Sequence, residues 1–493
     1  MSRSRSRRRP SCHAGQRSDA MIRLTLSEMV GAMRGVVCGQ TPTLSVSGVS
    51  TDSRTVGPDE LFFAIRGQRF DGHDFVADAL RRRAAGAVIE TARAGCIAAA
   101  LSGQADLPSP PVLIQVDHTV AALGRLAGFH RRQLSLDVIA VVGSNGKTTT
   151  KAMIDHILSL RRKGRSSPRS FNNAIGVPLT LLSAEAADDY LVVEIGTNAP
   201  GEIVALAELT RPNMAVITCI AEEHLEGLGD LAGVATEECS LLEGLPPGGF
   251  AAVNIDSPLA RDRLPPAGVT RVTFGAHADA DLRVTQAQHE SPWLHFTLNG
   301  RFEYRLRGAG THNAWNAAGA IAVARRLGFE HAEIAARLES FVFPPMRTEL
   351  VQLGGVTLIN DAYNANPVSA LAAIRTLEAQ PARGRRIAVL GEMRELGGQS
   401  QELHRQVAQR LRDGQVDHVM LVGEAARTLY DGLSDDARSG PSVECCADVA
   451  ACAARLPKIV QDGDVVLLKA SRAVGLERVV EPLRQGLAAT PVA

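Results

Sequence analysis

Residues Val138–Thr150 read VIAVVGSNGKTTT, and this stretch constrains the chain more than any other. An apolar strand ends at a short loop with two glycines, Gly143 and Gly146, and Lys147, Thr148 and Thr149 open a helix. Backbone N–H groups and the helix N-terminus then converge on one spot, where they can hold a polyphosphate. In that reading Gly143, Ser144, Asn145 and Gly146 form the cradle, Lys147 adds positive charge, and Thr148 offers a hydroxyl to an accompanying Mg²⁺. Gly143 lies three residues before Gly146, whereas the common phosphate loop has a spacing of five. An ordinary glycine turn is the plainer alternative, but strand, glycines, Lys-Thr and helix all agree on nucleotide binding.

Short β-branched runs alternate with Ala/Leu-rich stretches, which predicts α/β architecture with parallel sheets. At 493 residues the chain exceeds one core and divides into several domains. A first unit, 21–116, carries strands at Leu61–Ile65, Gly86–Glu90 and Val112–Val116, and the Pro-rich Leu107–Pro111 marks the approach to its boundary. A second, 117–343, opens with a helix near His118–Gln133. It holds the phosphate loop, later strands at Tyr190–Gly196, Met214–Ile220 and Phe250–Asp256, and a helix at Thr311–Gly328. FPPMR, Phe343–Arg347, reads as the next hinge because Pro-Pro cannot continue a helix. The third, 344–493, has strands at Val356–Asn360, Arg386–Leu390, His418–Val422 and Asp464–Lys469.

Residues 1–20, beginning MSRSRSRRRP, form a basic extension expected to be disordered, with Met21 as an alternative start. No apolar segment follows those charges, so it is not a secretory signal. The 53 basic and 53 acidic residues balance, which implies no general affinity for nucleic acid or for a membrane surface. No apolar run is long enough to span a bilayer, and the eight cysteines include no C-x-x-C pair. A reduced, cytoplasmic enzyme is expected.

Several polar groups fall at strand ends, where open α/β sheets bind ligands. Glu194 ends YLVVE and suits a Mg²⁺ site beside the phosphate loop. His224, in AEEHLEG, follows the neighbouring strand, and it is either metal-proximal or a surface histidine. Asn172 and Asn173 precede an Ile-Gly-Val-Pro turn, while His312, Asn313 and Asn316 open a helix; amides there often serve only turns and caps. In DAYNANP, Asp361 could accept from ribose hydroxyls, and Asn364 and Asn366 offer amides to a polar substrate. Lys469, Ser471 and Arg472 in KASR present cations and a hydroxyl suited to an anionic partner. Ser50, Thr51, Asp52, Ser53 and Arg54, with Gly67–Phe75, supply a density of hydrogen-bonding groups that fits a sugar nucleotide.

Taken together, STDSR, GSNGKTTTKAM, FNNAIGVPLTLL, EIGTNAPGEI, EEHLEG, THNAWN, MRTE, DAYNANP, LGEMRELG and KASR closely resemble the Mur ligases, ATP-dependent amide-forming enzymes of peptidoglycan synthesis. The resemblance covers nearly everything from Met21 onward. It implies a uridine-nucleotide-binding N-terminal domain, a central ATPase domain and a C-terminal Rossmann-like domain. EIGTNAPGEI, HLEG and DAYNANP resemble the members that add D-alanyl-D-alanine to UDP-N-acetylmuramoyl-tripeptide. By position, catalysis would rest on Lys147, Glu194 and His224, with Lys147 and Thr148 on the ATP phosphates. Asn313 and Asn316 would lie near adenine, Arg347 and Asp361 near phosphates or ribose, and Ser50–Arg54 near the uridine nucleotide. Asn173, Asn364, Asn366, Lys469, Ser471 and Arg472 would meet substrate, and the protein would act as a monomer.

One position departs from the family. Mur ligases usually place a lysine about fourteen residues beyond the His224 position, carbamylated so that its carboxylate binds a second magnesium; here that residue is Glu238. Glu238 either supplies this carboxylate directly, joining Thr148, Glu194 and His224 as a metal ligand, or is a solvated helix residue. Two other readings stay open: a superfamily ligase adding another amino acid, to a muramoyl peptide or a folate, and a non-catalytic nucleotide-binding regulator.

Overall fold

The computed structural model of the chain describes residues 24–38, 46–104, 106–107, 111–423, 427–434 and 440–489. The basic extension at 1–20 and Met21 lie outside them, as do 108–110 of the Pro-rich boundary. Two compact units divide at Leu126/Ala127, inside the helix Thr119–Arg131.

In the first unit, β1 (Val36–Cys38), β2 (Gly48–Ser50), β3 (Glu60–Phe63), β4 (Gly86–Glu90) and β5 (Leu113–Val116) form one sheet ordered β1-β5-β4-β3-β2. All pairings are parallel except β1 with β5. Leu61, Phe62, Phe63, Val88 and Ile89 are buried on both faces of the sheet, the pattern of parallel strands covered on either side.

The second unit holds two sheets. The larger contains β6 (Asp137–Val142), β7 (Gly164–Ser166), β8 (Tyr190–Glu194), β9 (Met214–Ile217), β10 (Phe250–Asn254), β11 (Thr270–Gly275), β12 (Leu282–Glu290), β13 (Trp293–Leu298) and β14 (Phe302–Arg307). Their order is β14-β13-β12-β11-β10-β9-β6-β8-β7, so the strand leading into the phosphate loop lies between the two that carry Glu194 and the His224 loop. β8, β9 and β10 are buried at every residue, as is β6 after its first. The helices Lys147–Leu158 and Asn313–Arg326 pack against each other, and their apolar faces join the strands in one core.

The smaller sheet contains β15 (Glu349–Leu353), β16 (Val356–Asn360), β17 (Arg386–Gly391), β18 (His418–Val422), β19 (Ser442–Cys446) and β20 (Val465–Lys469), ordered β15-β16-β20-β17-β18-β19. Only β15 runs antiparallel. The α/β architecture expected from the sequence is therefore present, with three sheets among the described residues. The arm β12–β14 was not anticipated. It is antiparallel, and its strands alternate buried with exposed residues instead of forming apolar runs.

Candidate active site

The loop after β6 needs both glycines. Gly143 adopts φ 120°, and a Cβ there would sit 2.4 Å from Thr218 Oγ1 and 2.8 Å from the Cys219 backbone nitrogen. Gly146 adopts φ 86°, and a Cβ would fall 2.1 Å from Asn316 Oδ1. The end of β9 secures the loop: Ser144 N–H donates to Cys219 O at 2.7 Å, and Thr218 Oγ1 donates to Asn145 O at 2.6 Å. The Ser144 hydroxyl is buried against Ala221, accepting from its N–H at 2.8 Å and donating to its carbonyl at 2.9 Å.

Around this loop the fold buries an unusual density of charge. Lys147 Nζ donates to Gly143 O at 2.5 Å and lies 3.4 Å from Glu223 Oε1. Thr148 Oγ1 donates to Glu194 Oε2 at 2.8 Å. The same carboxylate meets Lys151 Nζ at 3.1 Å and accepts from Asn172 Nδ2 at 3.1 Å. Glu238, with no solvent exposure, accepts from Gly143 N–H at 2.7 Å, and its other oxygen, Oε1, has no hydrogen-bond partner among the described residues. The alternative of a solvated Glu238 is thereby excluded: Leu231–Cys239 is a helix, and this residue lies on its buried face.

Two ammoniums and three carboxylates thus share one interior region. Burial pushes the Glu223 and Glu238 carboxyls upward, with Lys147 pulling both back. Burial alone would lower Lys147, but Glu223, Glu238 and Glu194 outweigh it and hold its charge. Burial lowers Lys151 despite Glu194, and burial with Lys147 lowers His224 against the pull of Glu395, which favours neutral imidazole. Excess carboxylate, a threonine hydroxyl and an unpartnered carboxylate oxygen fit a hard divalent cation. Among the described residues no group of three or more His, Cys, Asp or Glu is placed so that it could hold a metal ion by itself. Magnesium, which keeps waters and phosphate oxygens in its shell, suits such an open set.

Residues beyond the hinge complete the neighbourhood. Asn145 and Asn366 exchange two amide hydrogen bonds, Asn145 Nδ2 donating at 3.2 Å and Asn366 Nδ2 at 3.0 Å. Asn366 also caps the helix Pro367–Ala379 by accepting from Ser369 N–H at 2.9 Å. His224 Nδ1 pairs with Glu395, whose backbone carbonyl accepts from Glu226 N–H at 3.3 Å. Arg347 Nη2 donates to Ser170 Oγ at 3.3 Å, and Ser170 lies 3.1 Å from Thr148 Oγ1. Asp361 Oδ2 accepts from buried Lys469 at 2.6 Å while Oδ1 accepts from Thr348 N–H at 2.9 Å.

Other expected residues also make contacts within the fold. Asn173 Oδ1 accepts from the Ile175 and Gly176 N–H groups, a turn role. Asn313 Nδ2 donates to Ala309 O, and Asn316 Nδ2 to Asn313 Oδ1, both at 2.9 Å. Lys469 is neutralised within the fold instead of standing free for an anion. Asn364 Oδ1 and Ser471 Oγ accept from the Arg472 and Arg394 N–H groups, and Arg472 pairs with Glu477. In the first unit, Arg54 makes a two-point pair with Asp52, and Ser50 Oγ accepts from Asp52 N–H at 3.2 Å; Thr51 and Ser53 are half-buried beside them. Lys151, Ser170, Glu223 and Glu395 escaped sequence reasoning. For Lys151 a signal existed: it stands one helical turn after Lys147.

Three domain families match the chain in order. They are the Mur ligase family catalytic domain at residues 45–131, the Mur ligase middle domain at 141–324, and the Mur ligase glutamate ligase domain at 346–472. The chain belongs to the Mur ligase family. Within it, curated relatives named UDP-N-acetylmuramoyl-tripeptide–D-alanyl-D-alanine ligase include those of Bacillus subtilis, 33% identical, and Escherichia coli, 34% identical. Each alignment covers 94% of this chain and 99% of the relative. Among solved structures, MurF from Acinetobacter baumannii superposes with a TM-score of 0.79 at 28% identity, over 94% of this chain and 98% of that one. MurF ligase from Thermotoga maritima, solved with ADP, gives 0.75 at 27% identity, over 90% and 98%.

Proposed function

We propose that this chain joins D-alanyl-D-alanine to the terminal carboxylate of UDP-N-acetylmuramoyl-tripeptide at the expense of ATP, in the cytoplasm. The observation that carries this reading is full-length similarity to ligases so named, combined with Lys147, Thr148 and Glu194 gathered at one strand edge.

A carboxylate is a poor electrophile until one oxygen becomes a leaving group. The substrate carboxylate takes the γ-phosphoryl group, releasing ADP and forming an acyl phosphate. The dipeptide amine then attacks the carbonyl carbon, the new C–N bond forms, and phosphate departs with the C–O electron pair. Lys147 supplies positive charge to the phosphates, and the loop N–H groups orient them. Thr148, Glu194, His224 and Glu238 are the residues that would hold magnesium, whose chemistry there is neutralisation of phosphate charge. Asn313 and Asn316 line the adenine side, and Asp361 and Arg347 serve ribose and phosphates. Ser50–Arg54 face the uridine nucleotide, while Asn173, Asn364, Asn366, Ser471 and Arg472 shape the remaining substrate surface. Lys469 acts by fixing Asp361. The working unit is a monomer of three domains, 21–116, 117–343 and 344–493.

The test is ADP release with D-alanyl-D-alanine against single amino acids, on tripeptides ending in diaminopimelate or lysine. Release only with a single amino acid, or with a folate acceptor, would overturn the assignment.

A further inference from the structure

Arg347 is held by a backbone arrangement that nothing in its own sequence requires. The residues on both sides, Met346 and Thr348, adopt left-handed φ values of 59° and 54°. Side chains cost stability in that region, most of all a β-branched one such as threonine. The conformation is fixed from outside: Asp361 Oδ1 accepts from Thr348 N–H at 2.9 Å, and Glu349 Oε2 from Met346 N–H at 3.0 Å. Met346 O in turn accepts from Tyr363 N–H at 3.3 Å.

The consequence is the placement of one guanidinium. Arg347 Cζ lies 4.2 Å from the centroid of the Tyr363 ring, while Nη2 donates to Ser170 Oγ at 3.3 Å. Ser170 Oγ is 3.1 Å from Thr148 Oγ1, which donates to Glu194 at 2.8 Å. Both Arg347 and Tyr363 are half-buried, so the stacking operates in partly desolvated surroundings, where a cation gains most from an aromatic face. Arg472 approaches the same ring less closely, at 5.9 Å.

We propose that Tyr363 is a positioning residue for nucleotide use: its ring is the platform that holds Arg347 over the Ser170–Thr148 edge of the phosphate loop. The assignment rests on the functional reading above. The tyrosine hydroxyl has no part in it, so phenylalanine should substitute and an aliphatic side chain should not. A freely rotating Arg347 would still carry its charge, but its guanidinium would be fixed against the phosphates only part of the time.

The experiment compares wild type, Tyr363→Phe, Tyr363→Leu, Arg347→Ala and the Tyr363→Leu/Arg347→Ala double variant. It measures ADP affinity by calorimetry, steady-state kcat and KM for ATP, and the thermal midpoint. Tyr363→Phe should stay within about twofold of wild type, while Tyr363→Leu should weaken ADP binding and raise KM for ATP by roughly tenfold. In the Arg347→Ala background the leucine change should add nothing. Wild-type behaviour of Tyr363→Leu, full additivity in the double variant, or equal damage from phenylalanine would overturn the proposal. If leucine lowers the thermal midpoint, Tyr363→Met provides a second aliphatic test under the same criteria. ADP binding requires no turnover, so failure of the wild type to form the amide would refute the functional reading separately.

Discussion

Glu238 accepts a hydrogen bond from the backbone N–H of Gly143 at 2.7 Å, across 95 residues of sequence. One oxygen of a helix carboxylate thereby fixes the glycine turn proposed to bind phosphate, and the other has no hydrogen-bond partner among the described residues.

These two oxygens can be separated by substitution. Glu238→Gln keeps an acceptor for Gly143 but removes the charge, so the fold should persist while the Mg²⁺ needed for half-maximal ADP release rises roughly tenfold or more. Glu238→Ala also strands the Gly143 N–H, which should cost a further ~1–3 kcal/mol in urea unfolding. Unchanged Mg²⁺ dependence in the glutamine variant would remove Glu238 from the metal site.

Lys147→Ala should reduce ATP-dependent amide formation by roughly 10²–10³-fold or more, because the cation proposed to face the phosphates is lost. Retained turnover would refute the central assignment.

Lys151 is predicted to matter for stability before it matters for rate. Its ammonium lies 3.1 Å from Glu194 and donates to Ser167 O at 2.8 Å and to Arg169 O. Lys151→Met leaves a buried carboxylate without its cation and should lower unfolding free energy by about 3–5 kcal/mol. A urea midpoint equal to wild type would show that the pair contributes nothing.

His404 sets a pH dependence. Its Nε2 accepts from Met393 N–H at 3.2 Å and its Nδ1 donates to Ser400 O at 2.7 Å, so both nitrogens are committed as neutral imidazole. Burial lowers its pKa, and the unfolded chain therefore binds the proton more readily. The stabilisation is fully present above about pH 6.5, the ordinary histidine value, and is lost as pH falls from there through the lower folded value. Thermal midpoints taken from pH 8 to 5 should decline across that window, and less steeply in His404→Gln. An identical slope in both proteins would assign the effect elsewhere.

Residues whose environment is dictated locally were legible in the sequence. The apolar run before Gly143, the strands Gly86–Glu90, Val356–Asn360 and His418–Val422, and the carboxylate ending β8 all declare themselves within a few positions. The arm β12–β14 did not, because its side chains alternate between core and solvent and resemble loop sequence. Long-range pairings were equally hidden. Nothing near Glu395 points to His224, and nothing near Asn173 shows that its Oδ1 is engaged by the Ile175 and Gly176 N–H groups. Glu238 was conspicuous only as an acid where a lysine was expected, and its Gly143 partner required the fold.

The reciprocal amide pair between Asn145 and Asn366 joins two neutral groups. Coulombic contacts fade as ionic strength rises, whereas amide hydrogen bonds are not screened. The register between the phosphate loop and the helix Pro367–Ala379 is thus independent of counterions, and high potassium should leave it in place.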